Sequence, residues 1–465
     1  MFHTYRRVLV ITSLVFCLFS SVFAYSGGSG TEPDPYQIGS VSDWQQLMNT
    51  SSDWNKNFIM TADVNLQGVT LIPVGGGWPY FNGIFDGNGH IIRNADINMP
   101  HSGAVGLFGY SNGQIRNLGV VDVNISGYGT IGGLVGYNNG TIATCYATGS
   151  VNGNEDVGGL VGWNGRLGPT ITDCYATATV TGSNRVGGLA GSNFDTITNC
   201  YATGAVSGKS CVGGLVGNND DTTISNCYAT GEVNGINFVG GLVGWNLRTI
   251  TSCYATGTVT GTAYSIGGLV GGNGDHVSHR VGGRITTCYA FATVDGNDYV
   301  GGLVGDNWYS PITACYSAGA VTGNNYTGGL VGGGYQQDDV TVSFWDIETS
   351  DCNISFGGTG KTTAEMKTRS TFTDAGWDFI WETINGPNDI WAICGGVSYP
   401  KLNWQFVLGD SDNDKDVDFL DFGRLSLKWQ QADANLYCGG TDLTGDGVVN
   451  MLDFATFADN WLEGI

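Results

Sequence analysis

The chain has 465 residues, 77 of them glycine, and carries 41 Asp plus Glu against 18 Lys plus Arg, a formal charge of -23. Glycine this frequent disfavours long helices, and without a Gly-X-Y period the chain is not collagen. The acidic balance argues against nucleic acid, which requires basic grooves, and is compatible with calcium and an extracellular setting. Aromatics at 12% with abundant Val, Ile and Thr point to buried strands rather than disorder.

From the N-terminus, residues 1–24 read as a secretory signal peptide. Arg6 and Arg7 form the charged part, residues 8–19 the apolar core, and Val22-Phe23-Ala24 a cleavage context before Tyr25. That apolar run is too short to span a membrane and no other approaches 18 residues, so the expectation is a secreted or cell-surface protein with no membrane span. Residues 25–80 read as an N-terminal cap: a strand at Tyr36-Gln37-Ile38 and a short helix holding Trp44 and Leu47 over the open end of a solenoid. Residues 81–92 read as strand, turn, strand, with Asp86 to Gly89 as turn residues. Asp86 is a turn aspartate in this reading and His90 an outward side chain, not an acid–base pair.

From residue 81 to 345 one phrase recurs: Gly-Gly-Leu-Val-Gly-x-Asn, a variable insert, then Cys-Tyr-Ala-Thr-Gly-x-Val. The glycine pair starts at 132, 158, 187, 213, 240, 267, 301 and 328, so successive steps are 26, 29, 26, 27, 27, 34 and 27 residues. Leu107-Phe108-Gly109 with Asn112-Gly113 is a degenerate first copy, which places the start of stacking near residue 80. A unit of this period cannot bury a face alone and must stack on its copies. The fold class is therefore all-β, a parallel β-solenoid of short glycine-rich rungs, each coil holding two or three short strands. Leu134, Leu160, Leu189, Leu215, Leu242, Leu269, Leu303 and Leu330 should supply the interior. Asn138, Asn164, Asn193, Asn219, Asn246, Asn273 and Asn307 should form an amide ladder. By parity Cys145, Ala147 and Val151 share the inward face, which leaves the tyrosines, Tyr146 first, as an outer ladder. The seven repeated cysteines (Cys145, Cys174, Cys200, Cys227, Cys253, Cys288, Cys315) are one structural position, best read as a free buried column; rung-to-rung disulfides remain compatible with the spacing. His276, His279 and Asp275 in the longest insert read as a solvated loop rather than a metal site.

The repeated phrase resembles the GLUG-repeat family over residues 103–334. The resemblance implies a secreted or surface-exposed bacterial repeat region, found in adhesin-like and large multidomain exported proteins. It assigns no catalytic residue.

Residues 346–408 read as a C-terminal cap and linker, with Trp377, Phe379, Trp391 and Leu402 as its apolar bulk and a possible Cys352–Cys394 pair. Gly357-Gly358-Thr359-Gly360-Lys361 is not a P-loop, because Ser355 stands where the first glycine is required. Residues 409–465 change character. Asp410, Asp412, Asp414, Asp416, Asp418 and Asp421 occupy positions 1, 3, 5, 7, 9 and 12 of a twelve-residue loop. Asp442, Thr444, Asp446, Val448, Asn450 and Asp453 repeat the pattern 32 residues on. Hard oxygen ligands at this spacing wrap Ca²⁺, position 7 using its backbone carbonyl. A small α-helical, EF-hand-like calcium module holding two ions is the expectation, although Lys415 replaces the turn glycine that Gly447 supplies in the second loop. Phe422, Leu425 and Trp429 match Phe454, Phe457 and Trp461 on the two following helices.

This segment resembles a type I dockerin, which implies that the same twelve residues hold two calcium ions and that the partner is a cohesin-like or other surface protein. Thr444, Lys415 and the aromatic helix positions depart from the dockerin pattern and bear on the partner's identity. Two functional classes are compatible with these features. The first is a non-enzymatic exported scaffold or adhesin-like protein, with extracellular glycan as a possible ligand of Tyr137, Trp163, Trp245 and Trp308. The alternative is a β-helix carbohydrate-active enzyme carrying a dockerin. Glycoside hydrolysis needs paired carboxylates, and the repeats hold only scattered charges, such as Glu155, Asp156 and Arg166, or Asp220 and Asp221.

Overall fold

The computed structural model describes residues 25–165, 168–275, 282–380, 384–393 and 396–406 and, toward the C-terminus, 417, 419–427, 429, 443 and 448–461. The signal segment 1–24, His276, His279 and Cys394 lie outside the described residues.

The protein is a parallel β-solenoid whose sheets run the length of the rod. One coil shows the construction. Glu155–Gly158, Val161–Asn164, Thr170–Thr172, Tyr175–Ala176 and Thr179–Thr181 succeed one another around the rod. They form four faces, the last two strands sharing the fourth, and each pairs parallel and in register with its counterpart in the next rung. The coil thus holds five strands rather than two or three. Strands of two to four residues are possible because each corner is a single sharp backbone turn.

Two corners carry the explanation. Gly-Gly-Leu is a corner rather than a strand: the glycine pair ends the first face and Leu160 points inward before Val161 opens the second. A Cβ on Gly158 would lie 2.0 Å from the Val161 carbonyl oxygen, and one on Gly159 would lie 2.1 Å from that of Gly188 in the next rung. Backbone at that separation admits only glycine. The other corner precedes each cysteine, where Asp173 takes φ 52°, as do Thr144, Asn199 and their counterparts within a few degrees. The left-handed residue reverses the chain and aims the cysteine inward, so the parity reading of Cys145, Ala147 and Val151 holds.

The interior is one continuous apolar core of Leu, Val, Ile, Cys and Ala layers. Within it the predicted amide ladder is fully formed. Asn138 donates through Nδ2 to Asn164 Oδ1 at 2.9 Å, and the same bond repeats through Asn193, Asn219, Asn246 and Asn273 to Asn307 at 2.8 to 2.9 Å. All seven are buried. Each amide satisfies its neighbour, which is what permits this column of polar groups in a dry interior. The seven rung cysteines are free thiols. In the first six the backbone N–H approaches the next rung's sulfur, as Cys145 N to Cys174 Sγ at 3.3 Å, and Cys315 N donates to Ser343 Oγ at 3.1 Å. Burial pushes the thiols of Cys145, Cys200, Cys227 and Cys288 well above their usual value.

Stacking begins well before residue 80. Tyr36–Ile38 pairs with Asn57–Met60, which pairs with Ile84–Asp86. These early rungs lack the glycine–leucine phrase, and Phe58, Phe81, Phe85 and Phe108 fill the interior instead. Helix α1 (Val41–Asn49) starts at Ser40, whose side chain accepts from Asp43 N, and closes the end with Trp44 edge-on to Phe85 and Phe108 at 5.9 and 6.0 Å. Near the opposite end Phe344–Asp346 pairs with Thr359–Lys361, and Trp345 packs on Gly329. Phe372, Trp377, Phe379, Trp391 and Tyr399 lie along a flank, in one cluster with Tyr289 and Tyr316, rather than across the end.

Candidate functional site

The fourth face presents the tyrosine ladder. Rings of Tyr146, Tyr175, Tyr201, Tyr228 and Tyr254 stack at 4.8 to 4.9 Å with their planes within 7° of parallel, and the column continues through Tyr289 and Tyr316. In-register parallel pairing places identical side chains directly above one another, so the 4.8 Å strand spacing becomes the ring spacing. The C-terminal flank segment covers one end of this ladder. Trp404 lies over Tyr228 and Tyr254 and donates to the Ser252 carbonyl at 3.1 Å. Tyr289 donates to Gln405 Oε1 at 3.0 Å and Tyr316 to the Pro400 carbonyl. Burial and the Tyr254 ring push the Tyr228 phenol up to about 12.

At its other end the ladder stops at Tyr146, and Gly119 and then Ile91 continue the column. Leu118-Gly119 occupies the position of Cys-Tyr in the preceding rung, with Gly119 opposite Tyr146. There a groove of about 510 Å³ crosses four rungs, lined by Asn88, Asn117, Thr144, Tyr146, Asp173 and Tyr175. A Cβ on Gly119 would lie 2.4 Å from Tyr146 Cζ, and one on Gly89 would meet nothing within 4 Å. The departure of Leu118-Gly119 from the Cys-Tyr phrase was the signal in the sequence that marks this place.

Tyr137, Trp163, Trp245 and Trp308 do not form one surface. Tyr137 and Trp163 stack at 5.9 Å, and Trp163 meets Phe194 at 4.4 Å. In the next two rungs that column holds Ser192 and Asn218, so Trp245 stacks apart, on Phe238 at 5.2 Å. Trp308 lies outside the column, which holds Asp306, and stacks on Tyr335 at 6.2 Å.

Several carboxylates of the rungs are engaged. Arg185 reaches Asp156 at 2.6 Å and Glu155 at 2.7 Å, and Ser192 also donates to Asp156. Arg248 approaches Asp221 at 3.4 Å. Asp86 binds Arg116 at 2.8 Å and accepts from Asn88 N at 2.9 Å, a turn role, while His90 faces Asp63 at 3.3 Å. Arg166 lies outside the described residues.

The C-terminal segment contains α2 (Phe419–Leu427) and α3 (Met451–Asp459). Val417, Leu425, Leu443, Val449 and Phe457 form a separate small core, against which Trp429 and Trp461 pack. Phe422 meets Phe454 and Phe457 at 6.1 and 6.0 Å. Of the residues expected to hold metal, Asn450 and Asp453 form a capping box at the N-terminus of α3: Asn450 Oδ1 accepts from Leu452 N at 2.8 Å, and Asp453 Oδ2 from Asn450 N at 2.7 Å. Asp453 is buried, Val448 is exposed beside them, and Asp421 lies on α2. Asp410, Asp412, Asp414, Asp416, Asp418, Asp442, Thr444 and Asp446 lie outside the described residues. Among the described residues no group of three or more His, Cys, Asp and Glu converges to hold a metal ion, and no helix is long and apolar enough to cross a membrane.

Comparison with known proteins agrees with the repeat. The family model described as the GLUG motif matches residues 127–152, 153–181, 182–207, 208–234 and 239–260, so the chain carries GLUG-motif repeats. It is 34% identical over 144 residues to "Halomucin" of Haloquadratum walsbyi, covering 28% of this chain and 2% of that protein. It is 36% identical over 453 residues to a "Putative Gly-rich membrane protein" of Evansella cellulosilytica, covering 85% of this chain and 47% of that protein. The chain thus spans less than half the length of either relative. Among solved structures, a "putative immunoglobulin A1 protease" from Bacteroides ovatus is 22% identical with a TM-score of 0.36, covering 82% of this chain and 96% of that one.

Proposed function

We propose that the protein is an exported, non-enzymatic scaffold whose C-terminal module docks it to a surface protein in a calcium-dependent manner. The observation that carries this reading is the internal symmetry of the C-terminal core. Val417 and Val449, Leu425 and Phe457, and Trp429 and Trp461 are each 32 residues apart, the interval between the two acidic loops, and all six meet in one core. This repetition within one small core supports two halves built alike, as the dockerin resemblance implies. The donor set fits calcium. Asn450 and Asp453 are oxygen donors fixed at the start of α3, and the buried Val417 and Val449 hold equivalent loop positions against the core. Asp410, Asp412, Asp414, Asp416, Asp418 and Asp421 would hold one ion, and Asp442, Thr444, Asp446, Val448, Asn450 and Asp453 the other; calcium would neutralise these loops and brace the two helices.

Docking has a surface in this reading. Leu420, Leu427, Met451 and Leu452 are exposed, and Phe422, Phe454, Phe457, Ala458 and Trp461 line an apolar groove of about 320 Å³. A cohesin-like protein is the proposed partner. The secretory signal expected at residues 1–24 supports a position of the rod outside the cell. Calorimetric titration of the full chain with CaCl₂ tests the proposal: two ions should bind, and Asp453→Ala should abolish one. Titration without heat or a change in ellipticity, before or after EDTA, refutes it. The mature protein should also release no products from plant or microbial polysaccharides; reproducible cleavage would overturn the scaffold assignment.

A further inference from the structure

We propose that residues 362–406 are a force-released clasp, a segment that peels off the tyrosine ladder when the C-terminal module is pulled and lengthens its tether while the rungs stay stacked. The chain leaves the last rung at Thr359–Lys361 and turns back along the flank. Its attachments follow in order. Trp377 donates to the Val342 carbonyl at 2.8 Å and Tyr399 to Asp346 at 2.6 Å, both beside the last rungs. Further back, Tyr316 donates to the Pro400 carbonyl, Tyr289 donates to Gln405 at 3.0 Å, and Trp404 lies over Tyr228 and Tyr254. The part nearest the C-terminal module is thus fastened furthest from the point where the segment leaves the rod.

These attachments differ in kind from those that hold the rod. Each rung is joined to its neighbours by in-register backbone ladders around one continuous core. Among the described residues, no backbone–backbone hydrogen bond joins residues 363–406 to a rung; such bonds run within the segment, as from Ile380 N to the Trp391 carbonyl at 2.9 Å. Its apolar cluster of Phe372, Trp377, Phe379, Trp391 and Leu402 is completed by Tyr289, Tyr316 and Phe344 of the rungs. Without those rings about 45 residues are too few for a core of their own, so release also unfolds the segment. A unit held by side chains opens before one held by backbone ladders and a core. The direction of load sets the strength. Pulled toward the last rungs, the segment loses Gln405 and Trp404 first and then one contact at a time. Pulled toward the first rungs, it loads its contacts together. The tether role rests on the docking reading above, whereas the release itself does not.

Optical-tweezers extension of the full chain tests this. One handle is attached at Gly409, between the segment and the C-terminal module. Neither calcium nor a partner then takes part in the readout, so its failure is distinct from failure of the docking reading. The second handle is attached at Tyr128 or at Tyr326, exposed tyrosines beside an early and a late rung. Release of about 45 residues frees about 150 Å of chain, less roughly 20 Å already spanned along the rungs, so a step of about 130 Å should precede any loss of rungs. The step should need less force from Tyr128, which peels the segment, than from Tyr326, which shears it. At constant force from Tyr128, Trp404→Ala should speed release about tenfold, the order expected for a lost aromatic contact and hydrogen bond. Trp78→Ala, exposed near the first rungs, should leave the rate unchanged. The proposal fails if rungs are lost before or without that step, if both handles give the same force, or if Trp404→Ala releases at the parent rate. It fails equally if Trp78→Ala speeds release as much as Trp404→Ala, since the change then reflects the rod's integrity and not the clasp.

Discussion

Asn219→Ala tests whether the buried amide ladder holds the rungs together. Asn219 Oδ1 accepts from Asn193 at 2.9 Å, and its Nδ2 donates to Asn246 Oδ1 at 2.8 Å and toward the Thr222 carbonyl at 3.3 Å. Truncation leaves a donor on one side and an acceptor on the other without their ladder partners, in an interior that water does not reach. A buried polar group left unsatisfied costs about 1–3 kcal/mol, so two such groups place the expected loss at about 2–6 kcal/mol. A stacked array is stabilised mainly between neighbours, so this loss should be local. Hydrogen exchange should accelerate in the rungs holding Asn193, Asn219 and Asn246 and stay unchanged around Asn138. Denaturant unfolding followed by tryptophan fluorescence gives the total. Asn124→Ala is the control: its exposed amide donates to Asp96 at 3.0 Å, and the change should cost under about 0.5 kcal/mol. If Asn219→Ala costs no more than Asn124→Ala, or if exchange rises evenly along the rod, the ladder does not have the role argued for it.

Other outcomes rest on the same geometry. Leu215→Ala, at a fully buried corner, should cost about 2–5 kcal/mol by denaturant unfolding. Gly159→Ala should also destabilise, because its Cβ would sit 2.1 Å from a backbone oxygen that only a shift of the next rung can move; retention of full stability would contradict the close packing. Iodoacetamide with peptide mapping should leave the seven rung cysteines unlabelled in the native protein and label them in guanidinium. Tyr228 has a folded pKa raised to about 12 against an ordinary value of 10.0, so folding favours its protonated form. Its contribution should be complete below about pH 10 and decline as the pH rises through about 12; absorbance titration at alkaline pH should show ladder tyrosines ionising later than in the unfolded chain.

Much of the rod was legible because the information is local and repeated. Leu160, Cys174, Ala176 and Val180 recur at one position per period, and in-register parallel stacking sends any recurring residue to one column. The Asn and Tyr ladders arise for the same reason. The strand count per coil was not legible, because the corners depend on a left-handed Asp173 and on a glycine pair pressed against the next rung. Both are contacts of backbone with backbone, which residue type signals only weakly. The C-terminal core was legible for a related reason, since its apolar pairs repeat at the interval of the two loops.

By itself the sequence determined the period, the parallel stacking, and which side chains form the core and the two ladders. Repetition made those outcomes the only ones that bury every copy alike. Tertiary structure decided which rungs differ. Nearly identical copies carry no mark of which tyrosines will be covered, and the path of the chain after residue 345 places Trp404, Gln405 and Pro400 over Tyr228 to Tyr316. At the other end Tyr146 packs on Gly119 and lines a groove with Tyr175. A stack of equivalent units acquires a distinct site where its equivalence is broken, and long-range packing determines where that happens.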